Sequence, residues 1–227
     1  MIAVISDIHG NLQALEAVLE DIKRRGISEV LCLGDIVGYG ANPNECIDRV
    51  RERGIPCVRG NHDEGVVNYD YNDFNNHALI AMEWTRDVVD RKAKRFLGSL
   101  PYILELNSCV MAHANLVAPQ LFCYTDEEED PYFVVSNLKK LGERKESLLL
   151  IGHTHKPTIF RGENGKAIVN VGSVGQPRDN DRRACYVILD GTKTEIIRVE
   201  YDFREAARRI AEAGFPEHLS KRLYSGT

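Results

Sequence analysis

The chain has 227 residues, of which 43% are hydrophobic and 28% are charged, and its formal net charge is −5. These values are ordinary for a globular protein and predict a single domain over residues 1–227. The acidic balance disfavours a nucleic-acid partner, and no apolar run approaches the roughly 20 residues that cross a membrane. Six cysteines without a Cys-x-x-Cys pair, and a first strand that follows Met1 directly, predict reduced thiols and a cytoplasmic location.

The first part of the chain is predicted to alternate between strands and helices. Three apolar runs of strand length predict strands, at residues 2–6, 29–33 and 55–58. Helical periodicity predicts helices at about residues 12–26, 44–54 and 73–97. Strands separated by helices imply parallel pairing with right-handed crossovers.

The second part is predicted to build a further sheet. It begins with a hairpin-like strand pair and one more strand, at residues 102–106, 108–112 and 147–151, with a helix at about 131–141. Four short strands with turn signals between them then predict an antiparallel meander, at residues 158–161, 167–171, 183–189 and 194–199. A closing helix begins near Phe203, and the acidic run at 126–130 is typical of a solvated loop.

Five short polar blocks each follow an apolar run, and together they contain five of the seven histidines. The central block is Gly60-Asn61-His62-Asp63, where the glycine permits a sharp turn that presents the following side chains. The other blocks are Asp7-Ile8-His9, Gly34-Asp35, Ala112-His113 and Gly152-His153-Thr154-His155. A helix cap or a turn accounts for any one of these blocks, but not for five histidines at strand ends.

The residue types in these blocks are those of a metal centre. Imidazole nitrogens and carboxylate oxygens suit Mn, Fe, Ni or Zn, and the blocks contain no thiolate of the kind that structural zinc sites use. Seven side chains are offered, which is too many for one ion: Asp7, His9, Asp35, Asn61, His113, His153 and His155. We therefore predict two divalent ions per chain, about 3.5–4 Å apart, with Asp35 between them and room for water.

The order of these motifs resembles the calcineurin-like metallophosphoesterase superfamily. Asp-x-His, Gly-Asp, Gly-Asn-His-Asp, a lone histidine and Gly-His-x-His follow one another from Asp7 to His155. The later run from Asn170 to Arg178 is similar to that of small bacterial and archaeal phosphodiesterase-like members. The chain departs at Ala112-His113-Ala114, where Gly-His-His or Gly-His-Gly is more usual, but it keeps the histidine. The resemblance implies a four-layer αββα sandwich of two mixed β-sheets flanked by helices.

The resemblance also implies a role for each residue of the blocks. It places Asp7, His9 and His155 on one ion and Asn61, His113 and His153 on the other, with Asp35 bridging. A metal-bridged hydroxide then attacks the phosphorus atom, while Asn61 and His62 contact the substrate. His62 is the expected general acid for the departing alkoxide, and Asp63 is expected to accept a hydrogen bond from the other ring nitrogen of His62.

Two further residues have open alternatives. Arg178 either binds substrate phosphate or pairs with Asp179 or Asp181, and Tyr39, between two glycines, either lines the pocket rim or packs structurally. Arg59 precedes the central glycine as it does in the protein serine/threonine phosphatases of the superfamily. Projection of its side chain from the opposite side of the strand, away from the site, is an equal alternative.

The predicted function is therefore hydrolysis of phosphoesters, with small mono- or diesters or nucleotides as substrates. A nuclease and a protein phosphatase of the same superfamily are the alternatives among enzymes. A binding scaffold is the alternative outside them, but scaffolds of this family are typically marked by loss of ligands or of the acid histidine, and none is lost here. The substrate, the choice among the four metals and the oligomeric state are open at this point.

Overall fold

The computed structural model of the chain describes residues 1–69, 74, 76–106, 108–122, 131–191 and 193–227. Within them the strands are β1 Ile2–Ile5, β2 Glu29–Cys32, β3 Ile103–Leu106, β4 Cys109–Ala112, β5 Leu148–Ile151, β6 Thr158–Arg161, β7 Ala167–Asn170, β8 Ala184–Asp190 and β9 Lys193–Val199. The α-helices are α1 Leu12–Arg24, α2 Pro43–Glu52, α3 Asn61–Asn68, α4 Asn76–Val88, α5 Arg91–Ser99, α6 Pro131–Gly142, α7 Phe203–Glu212 and α8 Glu217–Lys221. Short 3₁₀ helices lie at Pro119–Leu121 and Arg222–Tyr224.

The strands form two mixed sheets. The first has the order β2-β1-β8-β9, in which β1 and β2 are parallel and the other neighbours are antiparallel. The second has the order β3-β4-β5-β7-β6, with a parallel centre of β4, β5 and β7 and antiparallel edges. The connections of the parallel pairs β1–β2 and β4–β5 contain helices, whereas the connection between the parallel strands β5 and β7 contains the edge strand β6.

Alternation of side chains along the strands divides the interior into three apolar layers. Val4 of β1 and Leu150 of β5 belong to one cluster between the sheets, because it contains residues of both. The neighbours of Val4 on β1, Ala3 and Ile5, face the opposite way and pack with α1, α2 and α7. Leu149 of β5 likewise faces α6. The molecule is therefore a four-layer sandwich of helices, two sheets and a helix, and the predicted fold class is confirmed.

The helix α1 shows why these residues form the predicted elements. Its first turn is capped by the side chain of Asn11, which accepts a hydrogen bond from the Ala14 amide at 3.1 Å. Leu15 and Val18 recur at helical spacing and are fully buried on the face toward the sheet. Gly26, at a φ of 70°, follows the helix in the left-handed conformation that ends many helices.

The central motif differs from its predicted local structure. Residues 55–58 form only an isolated bridge, between Cys57 and Cys32, instead of a full strand. Gly60 is the N-cap of α3, so that Asn61 and His62 begin a helix and do not lie in a turn. The polar residues still follow the edge of the sheet, because Val58 continues the hydrogen bonding by donating to the Cys32 carbonyl at 3.1 Å.

The helix predicted over 73–97 is divided into α4 and α5. Asp90 interrupts it by capping a new helix, since its carboxylate accepts from the Ala93 amide at 2.7 Å. Asn44 of α2 holds the break from outside by donating to the Val88 carbonyl at 2.9 Å and accepting from the Asp90 amide at 3.3 Å. The contact from Asn44 of α2 thus determines where α4 ends and α5 begins, and the helical periodicity of residues 73–97 does not indicate this boundary.

The predicted antiparallel meander is wrong, because its four strands belong to two different sheets. The hairpin of β6 and β7 joins the second sheet, whereas that of β8 and β9 joins the first. Between them the chain crosses over the sheet ends, where the Val174 amide donates to the Ser6 carbonyl at 2.9 Å. The helix α8 was not predicted, and the acidic run at 126–130 lies outside the described residues.

Two further predictions from composition concern the cysteines and the membrane. Five cysteines are buried and free, as predicted: Cys32, Cys46, Cys57, Cys109 and Cys185. Across the described ranges, no helix combines the length and the apolar character needed to span a membrane.

A buried polar contact ties α1 to the first sheet. The hydroxyl of Tyr186, on β8, donates to Asp21 Oδ2 at 2.8 Å, and Arg25 Nε donates to the same oxygen at 2.8 Å. Arg24 donates to the other oxygen at 2.7 Å. Burial alone would raise the pKa of Asp21, but the hydrogen bonds from Arg25, Tyr186 and Arg24 outweigh it and lower the pKa.

We expect Asp21→Asn to reduce the free energy of unfolding at pH 7 by roughly 1–2 kcal/mol, because charge-assisted hydrogen bonds are lost. A lowered pKa gives stability that is present above the unfolded value of about 4 and lost as the pH falls through the folded value. The deficit of Asp21→Asn should therefore shrink below about pH 4 in urea unfolding curves. Asp87→Asn, at an exposed carboxylate, is the matched control. A deficit independent of pH would contradict the assignment.

Candidate metal centre

All seven predicted ligand side chains meet at one edge of the sandwich. They come from the segments that follow β1, β2, β4 and β5 and from the first turn of α3. On one side of the cluster, His113 Nε2 lies 3.1 Å from Asn61 Oδ1, and His153 Nδ1 lies 3.0 Å from the same oxygen. On the other side, His9 Nε2 lies 3.0 Å from His155 Nε2. The two triads that the family resemblance implies are thus each brought together.

Two buried carboxylates lie among the imidazoles. Asp35 Oδ2 lies 3.4 Å from His113 Nε2 and 3.6 Å from His9 Nε2, and so stands between the two triads. Asp7 Oδ1 lies 3.3 Å from His155 Nε2 and 3.7 Å from His9 Nε2. Among the described residues, three overlapping groups of carboxylate and imidazole have ligand atoms close enough for one ion: Asp7, His9 and His155; Asp7, Asp35 and His113; His9, Asp35 and His62.

Backbone carbonyls fix the tautomer of three of the histidines. Nδ1 of His9 donates to the Val37 carbonyl at 3.1 Å, and Nδ1 of His113 donates to the Leu33 carbonyl at 2.7 Å. The Nδ1 atom of His155 is similarly placed, 2.5 Å from the Gln176 carbonyl. A carbonyl oxygen only accepts, so Nδ1 of each ring carries a proton, and in the neutral form of the ring the lone pair of Nε2 points into the cluster.

The resulting arrangement fits cations. The Nε2 atoms of His9 and His155 present lone pairs to each other at 3.0 Å, which is repulsive unless a proton or a cation lies between them. Asp7 Oδ1 is fully buried without a hydrogen-bond partner, although it lies close to three of the imidazoles. Buried acceptors without donors carry a large desolvation cost, and cations with nitrogen and oxygen ligands remove it.

The electrostatics of the cluster agree with this fit. Burial opposes ionisation of Asp7 and Asp35, but the surrounding histidines outweigh it and lower the pKa of both carboxyls. Against burial, these carboxylates raise the pKa of His113 to about 10. Burial and neighbouring cationic groups lower the pKa of His153 and of His155 to about 3. At neutral pH the pocket thus contains two carboxylates and only part of the positive charge needed to balance them.

Most of the ligand residues adopt a strained backbone. Five of the seven are in the left-handed region, with φ values of 52° for Asp7, 50° for His9, 52° for Asp35, 72° for His153 and 65° for His155. This conformation is uncommon for residues other than glycine and costs of order 1–3 kcal/mol at each position. Residues i and i+2 of a strand project to the same side, so strand alternation would be the simplest way to pair Asp7 with His9 and His153 with His155. The structure brings them together through left-handed turns after the strands end.

Glycines beside the ligands leave room for the carboxylates, and the sequence gives them no such role. A Cβ atom at Gly60 would strike Asp35 Oδ1, and one at Gly152 would strike Ser6 Oγ and Asp7 Oδ2. Asp7 Oδ2 is also held by the His153 amide, which donates to it at 3.0 Å. The position of each carboxylate therefore depends on a neighbouring residue without a side chain.

His62 lies beside the cluster with aromatic and thioether neighbours. Its ring centroid is 4.7 Å from that of His9, 4.6 Å from that of Tyr39 and 4.7 Å from that of Phe74. Its Nδ1 is 3.0 Å from the Sδ atom of Met82, on α4. Burial lowers the pKa of His62 well below its ordinary value.

The predicted contact between Asp63 and the His62 ring is wrong. Both oxygens of Asp63 accept from backbone amides: Asp35 at 2.8 Å, Ile36 at 3.0 Å, Val37 at 3.4 Å and Gly60 at 3.1 Å. The position of Asp63 at N3 of α3 directs its carboxylate back to the helix start and to the loop after β2. Asp63 thus holds the loop that carries Asp35. The sulfur of Met82, a residue for which the sequence gives no signal, lies beside His62 Nδ1 where the Asp63 carboxylate was predicted.

Arg178 and Tyr39 lie next to each other at the side of the cluster. The guanidinium of Arg178 is 5.8 Å from the centre of the Tyr39 ring and donates to Gln176 Oε1 at 2.9 Å. The two predicted alternative partners of Arg178 are engaged by other residues, since Asp179 pairs with Arg198 and Asp181 with Arg183. The Arg178 amide donates to the His155 carbonyl at 3.4 Å, and the positive charge of Arg178 contributes to lowering the pKa of His62, His153 and His155.

Arg59, which precedes the central glycine, is directed away from the cluster. Its Nη1 donates to Glu64 at 2.7 Å, and its guanidinium packs 5.0 Å from the centre of the Tyr102 ring. Nη2 also donates to the Gly98 carbonyl. Arg59 therefore ties α3 to α5 and does not enter the site.

Comparisons with known proteins agree with the fold and the motifs. The sequence model of the calcineurin-like phosphoesterase superfamily domain matches residues 1–194. The protein MJ0912 of Methanocaldococcus jannaschii is 42% identical, over 100% of this chain and 98% of its own. Phosphodiesterase YfcE of Escherichia coli strain K12 is 27% identical, over 85% of this chain and 88% of its own. A metallophosphoesterase structure from Sphaerobacter thermophilus superposes with a TM-score of 0.83 and 33% identity, covering 100% of this chain and 98% of that one.

We expect Gly152→Ala to reduce metal content sharply, because the added methyl group displaces Asp7 and Ser6. The measurement is elemental analysis after reconstitution with Mn²⁺. Gly142→Ala is the matched control, since a Cβ at that position meets nothing within 4 Å. Wild-type metal content in a folded Gly152→Ala protein would show that Asp7 tolerates displacement and is not a ligand.

Proposed function

Because the chain belongs to the calcineurin-like phosphoesterase superfamily, we propose that it hydrolyses phosphoesters with two divalent metal ions bound at the candidate metal centre. The observation that carries this proposal is the convergence of buried lone pairs, above all the 3.0 Å approach of His9 Nε2 to His155 Nε2 beside the unpaired Asp7 Oδ1. Such an arrangement has no structural benefit of its own and becomes favourable when cations are bound.

Each ligand has a proposed place in the centre. Asp7, His9 and His155 would hold one ion, and Asn61, His113 and His153 the other, with Asp35 shared because its Oδ2 faces both triads. Mn, Fe, Ni and Zn all suit these donors. When bound, such ions supply Lewis-acid stabilisation of the phosphoryl oxygens and lower the pKa of water. The protein itself supplies the fixed tautomers and the carboxylate positions described above.

His62 is the proposed general acid. It is adjacent to Asn61 in sequence and its amide donates to Asp35 Oδ1 at 2.8 Å, which holds the ring beside the centre. Burial lowers the pKa of the ring in the free protein, so that it needs an added negative charge to hold a proton. A phosphoester bound next to the ring provides that charge and raises the pKa again. The bound substrate thus allows His62 to hold the proton that it then donates.

Small phosphodiesters and phosphomonoesters, including nucleotides, are the proposed substrates. The similarity to a relative named phosphodiesterase supports the inclusion of diesters. The orientation of Arg59 away from the centre gives no support to a protein phosphatase that uses this residue. The net charge of −5 disfavours a nuclease, and intact candidate ligands disfavour a scaffold. Arg178 and Tyr39 are proposed to bind the substrate phosphate and to line the pocket, respectively. The single-domain organisation and the cytoplasmic location stay predictions.

We expect the wild-type chain to bind two ions and Asp35→Asn to lose both metal and activity, because Asp35 serves both triads. The loss of activity should reach at least about 100-fold, since even groups that only orient ligands cost 10–100-fold. Metal content is measured by elemental analysis after reconstitution with Mn²⁺, and activity with p-nitrophenyl phosphate and bis(p-nitrophenyl) phosphate. Asp190→Asn, at the exposed end of β8, is the matched control. One ion per wild-type chain would contradict the dinuclear proposal.

We expect His62→Asn to keep both ions and to lose proton donation, which typically contributes about 10²–10⁴-fold. The defect should grow as the leaving group becomes a poorer one, because an alkoxide needs the proton whereas nitrophenolate scarcely does. The measurement is kcat/KM over a series of aryl and alkyl phosphoesters of rising leaving-group pKa. His77→Asn, at the exposed start of α4, is the matched control. An equal defect for all leaving groups would assign His62 to phosphate binding, and loss of metal would make it a ligand.

A further inference from the structure

The C-terminal segment returns to the side of the metal centre and brings a second arginine there. Arg222, in the last 3₁₀ helix, places its guanidinium 6.0 Å from the centre of the Tyr39 ring, comparable with the 5.8 Å of Arg178. The same ring lies 4.9 Å from that of His9 and 4.6 Å from that of His62. Arg222 and two histidines of the site, His9 and His62, therefore approach the same aromatic ring.

Arg222 is held in this place by its surroundings. Leu219 and Leu223 on either side of it are buried, with 1% and 3% of their surface exposed. Its Nε donates to the Thr227 carbonyl at 2.5 Å, and the Gly226 carbonyl accepts from the Asn180 amide at 2.9 Å. Arg222 as a whole is half-buried. The buried leucines and this hydrogen bond restrict its side chain before any ligand arrives, which lowers the entropic cost of binding.

The two guanidiniums approach the same aromatic ring, at 5.8 Å and 6.0 Å from its centre. An anion bound beside this ring is attracted by both positive charges. The planar fork of arginine suits phosphate oxygens in particular.

We propose that Arg222, together with Arg178, forms a subsite for a second phosphate group of the substrate. The substrate class is a small phosphoester or nucleotide that carries another phosphate beyond the one being cleaved. Arg178 is the inner of the two, because its amide donates to the His155 carbonyl at 3.4 Å, and Arg222 approaches the site through the Tyr39 ring. This inference rests on the proposed function, because it names the substrates of that same centre.

The test compares two nucleotides that differ by one phosphate, adenosine 5′-monophosphate and adenosine 3′,5′-bisphosphate. Phosphate release by the Mn²⁺-reconstituted full chain is measured for the wild type, Arg222→Ala and Arg222→Lys. Arg208→Ala is the matched control, because Arg208 pairs with Glu205 and Glu212 on the exposed face of α7. Thermal unfolding checks that each variant is folded.

We expect Arg222→Ala to reduce kcat/KM for the bisphosphate by roughly 10- to 100-fold, mainly through KM, as loss of one charge-assisted contact implies. For the monophosphate, kcat/KM should fall at most about threefold, because a single screened charge that does not contact the substrate has only a small effect. Arg222→Lys should recover part of the bisphosphate activity, since it restores the charge without the fork. Arg208→Ala should leave both substrates unchanged. Equal losses for the two nucleotides, or no loss for either, would overturn the subsite.

A binding measurement separates this inference from the proposed function. If the wild type cleaves neither nucleotide, the proposed substrates fail, and the subsite is then tested by calorimetry with the same two ligands. A subsite predicts that the bisphosphate binds at least about tenfold more tightly than the monophosphate, and that Arg222→Ala removes the difference. Equal dissociation constants in the wild type would overturn it.

Discussion

The mutual repulsion of buried acceptors at the centre is the constraint on which the rest of the structure depends. His9 and His155 direct lone pairs at each other, and Asp7 and Asp35 lie among them without room to turn away. Backbone carbonyls maintain this arrangement by accepting hydrogen bonds from the Nδ1 atoms of the imidazoles, and the absence of side chains at Gly60 and Gly152 leaves space for the carboxylates. The left-handed residues add strain that the two packed sheets must overcome. A sandwich with large apolar layers provides that excess of stability, and cations then recover much of the cost.

The sequence predicts well those features that depend on one local pattern. The strands β1, β2, β4 and β5 and the residues that follow them could be read from apolar runs that end in polar blocks, and the structure brings those residues together. It predicts poorly what a distant contact decides. The break between α4 and α5 depends on Asn44, and the separation of β8 and β9 from β7 depends on pairing with β1. The partner of Asp63 likewise follows from the geometry of a helix start that the sequence suggested was a turn.

The residues around the centre differ in what holds them, and this allows their functions to be separated. The candidate ligands are held by backbone hydrogen bonds and by one another, so that a change in one disturbs the rest. The ring of His62 instead touches His9, Tyr39, Phe74 and the sulfur of Met82, which are weak partners for a proton. Its protonation therefore responds to an incoming anion far more than a ring fixed by a carboxylate would. This response to an anion would suit the general-acid role that we propose for His62.

Charge changes sign with distance from the centre, and this order has a consequence for selectivity. Asp7 and Asp35 make the interior negative and suited to cations, whereas Arg178 and Arg222 make the adjoining side positive, with the Tyr39 ring between the two regions. With cations bound, an anionic substrate meets positive charge on both sides of that ring. On our proposal, a phosphoester with one anionic group would contact only the inner region and would gain nothing from Arg222. Ligands that span both regions would displace water from both, so selection would act on the number and spacing of phosphate groups more than on the rest of the molecule.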